Sequence, residues 1–157
     1  MDIKSGCGYP AASLSNFSPH PFVIDGVQCA SMEGFLQALK SPYPDVQVEI
    51  CKLVGIVAKR RGARIDWKKD QTLHWKGVDY KRESKEYTDL LNRAYYELSK
   101  NESFRKALLA TGNAELKHSI GRSNPKETVL TEREFVSRLM ALRKHIQNGN
   151  KSHKQES

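Results

Sequence analysis

The sequence predicts an α+β fold that is predominantly α-helical: one compact domain with a short β-hairpin and a small sheet. Three observations predict it. Apolar residues recur at helical spacing in several segments, each set off by capping or turn residues. An Asp25-Gly26 pair stands between two short apolar runs, the signal of a two-residue hairpin in which both central residues need positive φ. The chain has 157 residues, 38% hydrophobic and 28% charged, which fits one soluble domain able to bury its own core.

The elements follow in order. Phe22-Val23-Ile24 and Val27-Gln28-Cys29 form the two arms of the hairpin. Ser31 is placed to cap a helix in which Met32, Phe35, Leu36 and Leu39 make the buried stripe. Pro42 and Pro44 break that helix. Asp45 can cap a second, with Ile50, Leu53, Val54 and Val57 inward and Gly62 as its C-cap. Residues 65–82 carry two tryptophans and little periodicity, and read as an irregular segment over a cleft. From Ser84 to Leu98 the pattern is helical again, with Tyr87, Leu90, Leu91, Ala94, Tyr95 and Leu98 on one face. Asn101 caps a helix that buries Phe104 and Leu108 and ends at Gly112. Residues 115–120 suit a short strand. Thr131 and Glu134 form the T-x-x-E capping box of a last helix, with Phe135, Leu139 and Leu142 inward. The domain spans residues 1–147, and the polar, aperiodic residues 148–157 read as a disordered tail.

Composition narrows the setting. No apolar run reaches membrane-spanning length, and the first residues, MDIKSGCGYP, lack the apolar region of a signal peptide, so a cytoplasmic protein with no membrane partner is expected. Cys7, Cys29 and Cys51 are widely spaced with no C-x-x-C, which argues for reduced thiols and against a zinc site; Cys29 and Cys51 fall in apolar patterns as core residues. The formal net charge is +8, and seven bases against one acid, Asp66, fall between Lys52 and Lys69. Such a cluster suits phosphates, of a small molecule or of nucleic acid. Part of it has a plainer source, because Lys59, Arg60 and Arg61 also complement the negative end of a helix.

Glu33, Gln37 and Lys40 fall at i, i+4 and i+7 on one helix face, and Asn16 and Phe17 lie just upstream where the chain can return to the same mouth. Two readings fit these residues. Glu33 in a first turn complements the helix dipole, with Gln37 and Lys40 as solvated neighbours. Alternatively, an acid, an amide and a base converge there for chemistry.

The order Leu14-Ser15-Asn16-Phe17, Pro19, Pro21-Phe22, then Asp25-Gly26, then Ser31, Glu33, Gln37-Ala38 and Lys40 resembles the opening signature of the NADAR, or YbiA-like, family. Ala58-Lys59-Arg60 with Trp67 downstream, Leu108 to Gly112, and Leu139-Met140 with Leu142-Arg143 match in order, so the likeness spans residues 14–146. Members are linked to ADP-ribose and to cleavage of N-glycosidic bonds, on phosphorylated riboflavin-pathway intermediates or on ADP-ribosylated guanine in DNA. This chain departs from the pattern twice. Gly34 stands where the family usually has His. After Gly112 it lacks the acidic residue before Trp-Gly and the Gly-x-Asn, and reads His118-Ser119-Ile120-Gly121-Arg122-Ser123-Asn124-Pro125 instead.

The resemblance implies an N-glycosidase acting on an ADP-ribose-type or ribosyl-phosphate substrate, without a cofactor or metal. Glu33 is then the carboxylate that stabilises an oxocarbenium-like centre or activates water. Lys59, beside the cations Arg60 and Arg61, is the candidate for an imine-forming amine or a phosphate ligand. His118 falls where relatives tend to have an acid, and a histidine there can protonate the leaving base. Substrate contacts fall to Asn16, Phe17, Gln37, Lys40, Arg60, Arg61, Trp67, Thr111 and Gly112. The alternative is a non-catalytic binder, in which the basic cluster with Trp67 and Trp75 holds ADP-ribose-like ligands or nucleic acid.

Overall fold

A computed structural model describes residues 1–156, with side chains described through residue 150. The first hairpin pairs β1 (Phe22–Ile24) with β2 (Val27–Cys29), in the register Phe22 with Cys29 and Ile24 with Val27. Its turn is set by Asp25 (φ 50°) and Gly26 (φ 79°), both positive as a two-residue turn of this kind demands. Phe22 and Ile24 face the core while Val23 faces out.

Ser31 caps α1 (Met32–Ala38), accepting from the Gly34 N–H at 3.1 Å and donating to the Leu53 carbonyl at 3.0 Å. The expected stripe of Met32, Phe35, Leu36 and Leu39 is buried. The region expected to form one second helix is two. In α2 (Pro44–Cys51), Pro44 opens the helix rather than breaking the one before it, and Asp45 sits in the first turn behind an N-cap at Tyr43. Proline suits that position, where its missing N–H has no partner to lose. Gly55 (φ +59°) then starts α3 (Gly55–Ala63), so Leu53 and Val54 lie between helices and Val57 is exposed. Gly62 is not the C-cap; Arg64 is. Gly62 is buried inside α3, against α1.

The stretch read as irregular holds a second hairpin, β3 (Thr72–Trp75) with β4 (Val78–Lys81). Lys76 (φ 50°) and Gly77 (φ 85°) repeat the turn of the first. The two tips dock on each other. The Trp75 indole N–H donates to Asp25 Oδ2 at 2.9 Å, and the Lys76 ammonium to the Asp25 carbonyl at 2.6 Å. Arg93 closes the junction with an ion pair to Asp25 at 2.9 Å.

Arg93 lies on α4 (Lys85–Leu98), capped by Ser84, and the six-residue face anticipated for this helix is buried throughout. Asn101 caps α5 (Glu102–Ala110) through the Phe104 N–H, and Phe104 and Leu108 are buried. Residues 115–120 form no strand. Lys117 makes an isolated parallel bridge to Asp2, with Ile3 N–H bonded to its carbonyl at 2.8 Å. The capping box at the start of α6 (Glu132–Glu156) is closed both ways: Glu134 accepts from the Thr131 N–H at 2.8 Å, and Thr131 Oγ1 from the Glu134 N–H at 3.1 Å. This helix continues through Glu156, across most of the stretch whose composition reads as a disordered tail, and Ser157 lies outside the described residues.

One core joins the hairpins to α1, α2 and α4–α6. Cys29 and Cys51 are buried free thiols in it, and the interaction with the Cys51 thiol, with burial second, pushes the Cys29 thiol well above its ordinary range. Among the described residues, no helix is long and apolar enough to cross a membrane.

Candidate active site

A cavity of about 610 Å³ opens between four walls. Ser15, Asn16 and Phe17 form one; Glu33, Leu36, Gln37 and Lys40 of α1 form the second. The third runs from Lys59 and Ala63 of α3 into residues 64–68, and the fourth comprises His118, residues 120–122 and 127–130, with Phe135 of α6. Helical spacing explains the α1 wall, because residues 33, 36, 37 and 40 fall on one side of a 3.6-residue helix.

Glu33 is anchored twice. Its backbone N–H donates to the Asn16 carbonyl at 3.0 Å, and its Oε1 accepts from Gln37 Nε2 at 2.8 Å. Asn16 is itself held through Oδ1 by the buried Tyr95 hydroxyl at 2.8 Å. Burial pushes the Glu33 carboxyl above the usual carboxylate range; the Gln37 bond and the charges of Lys59, Lys40 and His118 pull the other way but do not cancel it. Lys40 responds in the opposite sense to the one its neighbour suggests. Burial lowers its pKa from the ordinary lysine value, and Glu33 offsets only part of that. The amine depressed by its surroundings is thus Lys40, while Lys59 is exposed at the rim.

His118 is oriented by its Nδ1–H, which donates to the Ile3 carbonyl at 2.6 Å, and by edge contact with the Phe135 ring at 5.0 Å. A carbonyl only accepts, so Nδ1 carries a proton and Nε2 is left without a partner among the described residues.

Eight of the twelve residues singled out from sequence line this cavity: Asn16, Phe17, Glu33, Gln37, Lys40, Lys59, Trp67 and His118. Four do not. Arg60 and Arg61 lie on α3 outside the lining, because one and two steps beyond Lys59 rotate them by about 100° and 200° around the helix. Thr111 is buried elsewhere, donating to the Leu108 carbonyl at 2.6 Å and accepting from Arg143 at 2.7 Å. Gly112 (φ +59°) ends α5 in the left-handed conformation, an ordinary helix stop. Trp67 is only 4% exposed, so it offers little face for stacking. Trp75 is bound to Asp25 in the hairpin junction.

Three further cations line the cavity: Arg64 and Lys68, which belong to the basic cluster but are not among the residues singled out, and Arg122, which sequence reasoning missed. Helical arithmetic leads from Lys59 to Ala63, one turn on, but not to Arg64, the C-cap of α3, which lies about 140° round the helix from Lys59. Arg122 carries no periodic signal. Lys68 bridges two walls through an ion pair with Glu127 at 3.2 Å, whereas Lys40, Lys59, Arg64 and Arg122 have no ion-pair partner among the described residues. The same residues include no group of three or more His, Cys, Asp or Glu side chains placed to hold a metal ion.

The architecture is that of the YbiA-type α+β fold. The solution structure of YbiA from E. coli superposes with a TM-score of 0.61 at 20% identity, covering 96% of this chain and 86% of that one. Residues 8–144 match the family described as Bacteriophage protein GP30.3. An uncharacterized 17.1 kDa protein of enterobacteria phage T4 is 40% identical over 146 residues, 91% of this chain and 96% of the relative. The chain belongs to the bacteriophage GP30.3 protein family, as a divergent NADAR-like member.

Proposed function

We propose that this cavity hydrolyses the C–N glycosidic bond of an ADP-ribose-type or related ribosyl-phosphate substrate, with ADP-ribose on a nucleobase as one such substrate. The observation that carries this reading is Glu33: a half-buried carboxyl with a raised pKa, hydrogen-bonded by Gln37, in a cavity also lined by Lys59, Arg64 and Arg122, which have no ion-pair partner among the described residues. A carboxylate of raised pKa is a better proton acceptor near neutrality than an ordinary one. It also lies where positive charge at an anomeric carbon needs an anion.

In the reaction, water oxygen bonds to the anomeric carbon as the C–N bond breaks. Glu33 takes the water proton and stabilises the oxocarbenium-like centre. The bonding electrons leave with the base nitrogen, which receives a proton from His118 Nε2 when that ring is doubly protonated. Lys59, Arg64 and Arg122 serve the phosphates, in place of the Arg60 and Arg61 expected from sequence. An imine route through an amine has its better candidate in Lys40, whose burial favours the neutral, nucleophilic form.

The test is to incubate the protein with ribosylated nucleobases and riboflavin-type ribosyl phosphates, and to follow free base by mass spectrometry. Release that disappears in Glu33→Gln while ligand binding persists supports the reading. Release that survives in Glu33→Gln refutes the mechanism. Tight, salt-sensitive nucleic-acid binding with no product from any substrate instead identifies a binder.

A further inference from the structure

Gln37 presents a problem that its neighbours resolve. Its amide has one donor group and one acceptor, and an ionised Glu33 only accepts, so the group facing Glu33 must be the NH2. That fixes the carbonyl on the other side. There Oε1 is buried without any hydrogen-bond partner, in a residue only 7% exposed. It is pressed against Gly62. A Cβ built on Gly62 would lie 1.8 Å from Gln37 Oε1, 2.6 Å from its Cδ and 2.8 Å from its Cβ.

These distances leave no room for a side chain. Real Cβ atoms do not approach heavy atoms so closely, and the contact reaches back to the Gln37 Cβ, which moves only with the α1 backbone. The conformation of Gly62 is helical, so positive φ does not explain the glycine. Neither does helix formation, for which alanine is the better residue. What needs a glycine at this crossing is the Gln37 side chain.

We propose that Gly62 is a positioning residue for Glu33: its absent side chain is the slot that seats the Gln37 amide, which in turn holds the carboxylate. The inference rests on the reading of Glu33 as the reacting carboxylate, but the placement of Gln37 stands on geometry alone. In Gly62→Ala the amide swings out of the slot toward the cavity that Gln37 lines. Glu33 loses its donor, and the displaced amide occupies volume meant for substrate.

The experiment follows Glu33 and turnover separately. Carboxyl carbon NMR of the full chain titrates Glu33 directly, with no substrate present. Gly62→Ala moves its titration to higher pH, because the lost Gln37 bond is one of the influences that hold it down. Gln37→Ala does the same. The double variant Gln37→Ala with Gly62→Ala returns close to Gln37→Ala, since the amide contacts at 1.8 and 2.6 Å are gone and only the 2.8 Å approach of the two Cβ atoms remains. Where a substrate has been found, Gly62→Ala loses about tenfold or more in kcat/KM, the worth of one bond to a charged group. The double variant loses less relative to Gln37→Ala than Gly62→Ala loses relative to the wild type.

A Gly62→Ala protein with an unmoved Glu33 titration overturns the proposal, as does a double variant worse than Gln37→Ala by the full effect of Gly62→Ala. If Gly62→Ala does not fold, recovery of folded protein in the double variant supports the slot, and an equally unfolded double variant overturns it. A Glu33 titration that shifts as expected in a protein with no turnover on any substrate refutes the proposed function and leaves the positioning intact.

Discussion

Replacing Arg82 with leucine tests how the fourth wall of the cavity is held. Arg82 sits at the end of β4 with a side chain only 2% exposed, and its guanidinium makes a forked pair with Glu134, at 2.6 Å and 3.2 Å. Its Nε–H donates to the Thr128 carbonyl at 2.8 Å, and its plane lies 5.1 Å from the centre of the Tyr87 ring. Removing one partner of a buried pair costs about 3–5 kcal/mol, mostly because the other charge is stranded. Glu134 keeps its bond from the Thr131 N–H and is 23% exposed, which places Arg82→Leu at the lower end, about 3 kcal/mol. The lost bond to Thr128 adds about 1 kcal/mol. A total of about 4 kcal/mol is a large part of a typical domain's stability, so the urea midpoint falls by at least about 1 M. Adding Glu134→Gln, which retains a capping acceptor but removes the stranded charge, restores part of the loss. A further check is pH. Burial opposes the charge of Glu134, but the bonds from Arg82 and Thr131 outweigh it and hold the carboxyl below its ordinary range. A depressed carboxylate contributes stability that is present above its unfolded-state pKa and is lost as pH falls through the folded one. The wild type therefore loses this contribution on acidification and Arg82→Leu has little of it to lose. A loss in Arg82→Leu below about 1 kcal/mol at neutral pH, the range of an ordinary surface ion pair, refutes the reasoning.

Two more substitutions separate chemistry from architecture. Glu33 is a carboxyl whose pKa is raised on folding, so its ionisation weakens the folded state as pH climbs from the unfolded-state pKa to the folded one and beyond. Glu33→Gln should therefore raise the melting temperature at neutral pH, with the gain vanishing near pH 4; an unchanged or lower melting temperature at pH 7 contradicts the burial assigned to that carboxyl. Gly112→Ala places a side chain at φ +59° with nothing within 4 Å of the new Cβ, so it costs about 1–2 kcal/mol of backbone strain and nothing in contacts. Its melting temperature drops while turnover per folded molecule holds, and a specific loss of turnover would return Thr111 and Gly112 to the substrate site.

The α1 wall was legible because its residues obey a local rule. Ser31 declares a helix start, and the 3.6-residue period then puts Glu33, Gln37 and Lys40 on the face beside the core stripe. The same arithmetic extended from Lys59 points past Arg60 and Arg61 to Ala63, so those two arginines were separable from the lining by geometry already in the chain, whereas Arg64 enters the lining at the end of the helix, where the period no longer decides. Signs of burial were less accessible. Lys40 reads as a lysine whose acid neighbour raises its proton affinity, because sequence shows the neighbour and not the desolvation that outweighs it. The two interior glycines are a third kind. A Cβ on Gly34 would stand 2.6 Å from the Leu53 carbonyl oxygen, so backbone passes too close for a side chain there. Gly62 has the local signature of a helix end and serves instead as a crossing point.

Residues 113–131 mark the boundary of what local pattern reveals. They form no regular element, yet they build one wall of the cavity. Their order comes from partners far away in the chain: Lys117 bonds to the backbone of Met1 and Ile3, His118 to the Ile3 carbonyl, Thr128 to Arg82, and Val129 to the Tyr87 hydroxyl at 2.6 Å. No period of 2 or 3.6 encodes such bonds. A segment of this kind changes sequence without changing the helices around it, so long as its anchors keep their backbone partners. This chain departs from the NADAR pattern in that segment, and Arg122 and His118 enter the cavity from it. The helix that carries Glu33 and the wall that faces it are therefore under different constraints. The first is bound to its residues by core packing and by the Gly62 crossing. The second is bound only at its anchors, which leaves its cavity-facing side chains free of the packing that fixes the helix.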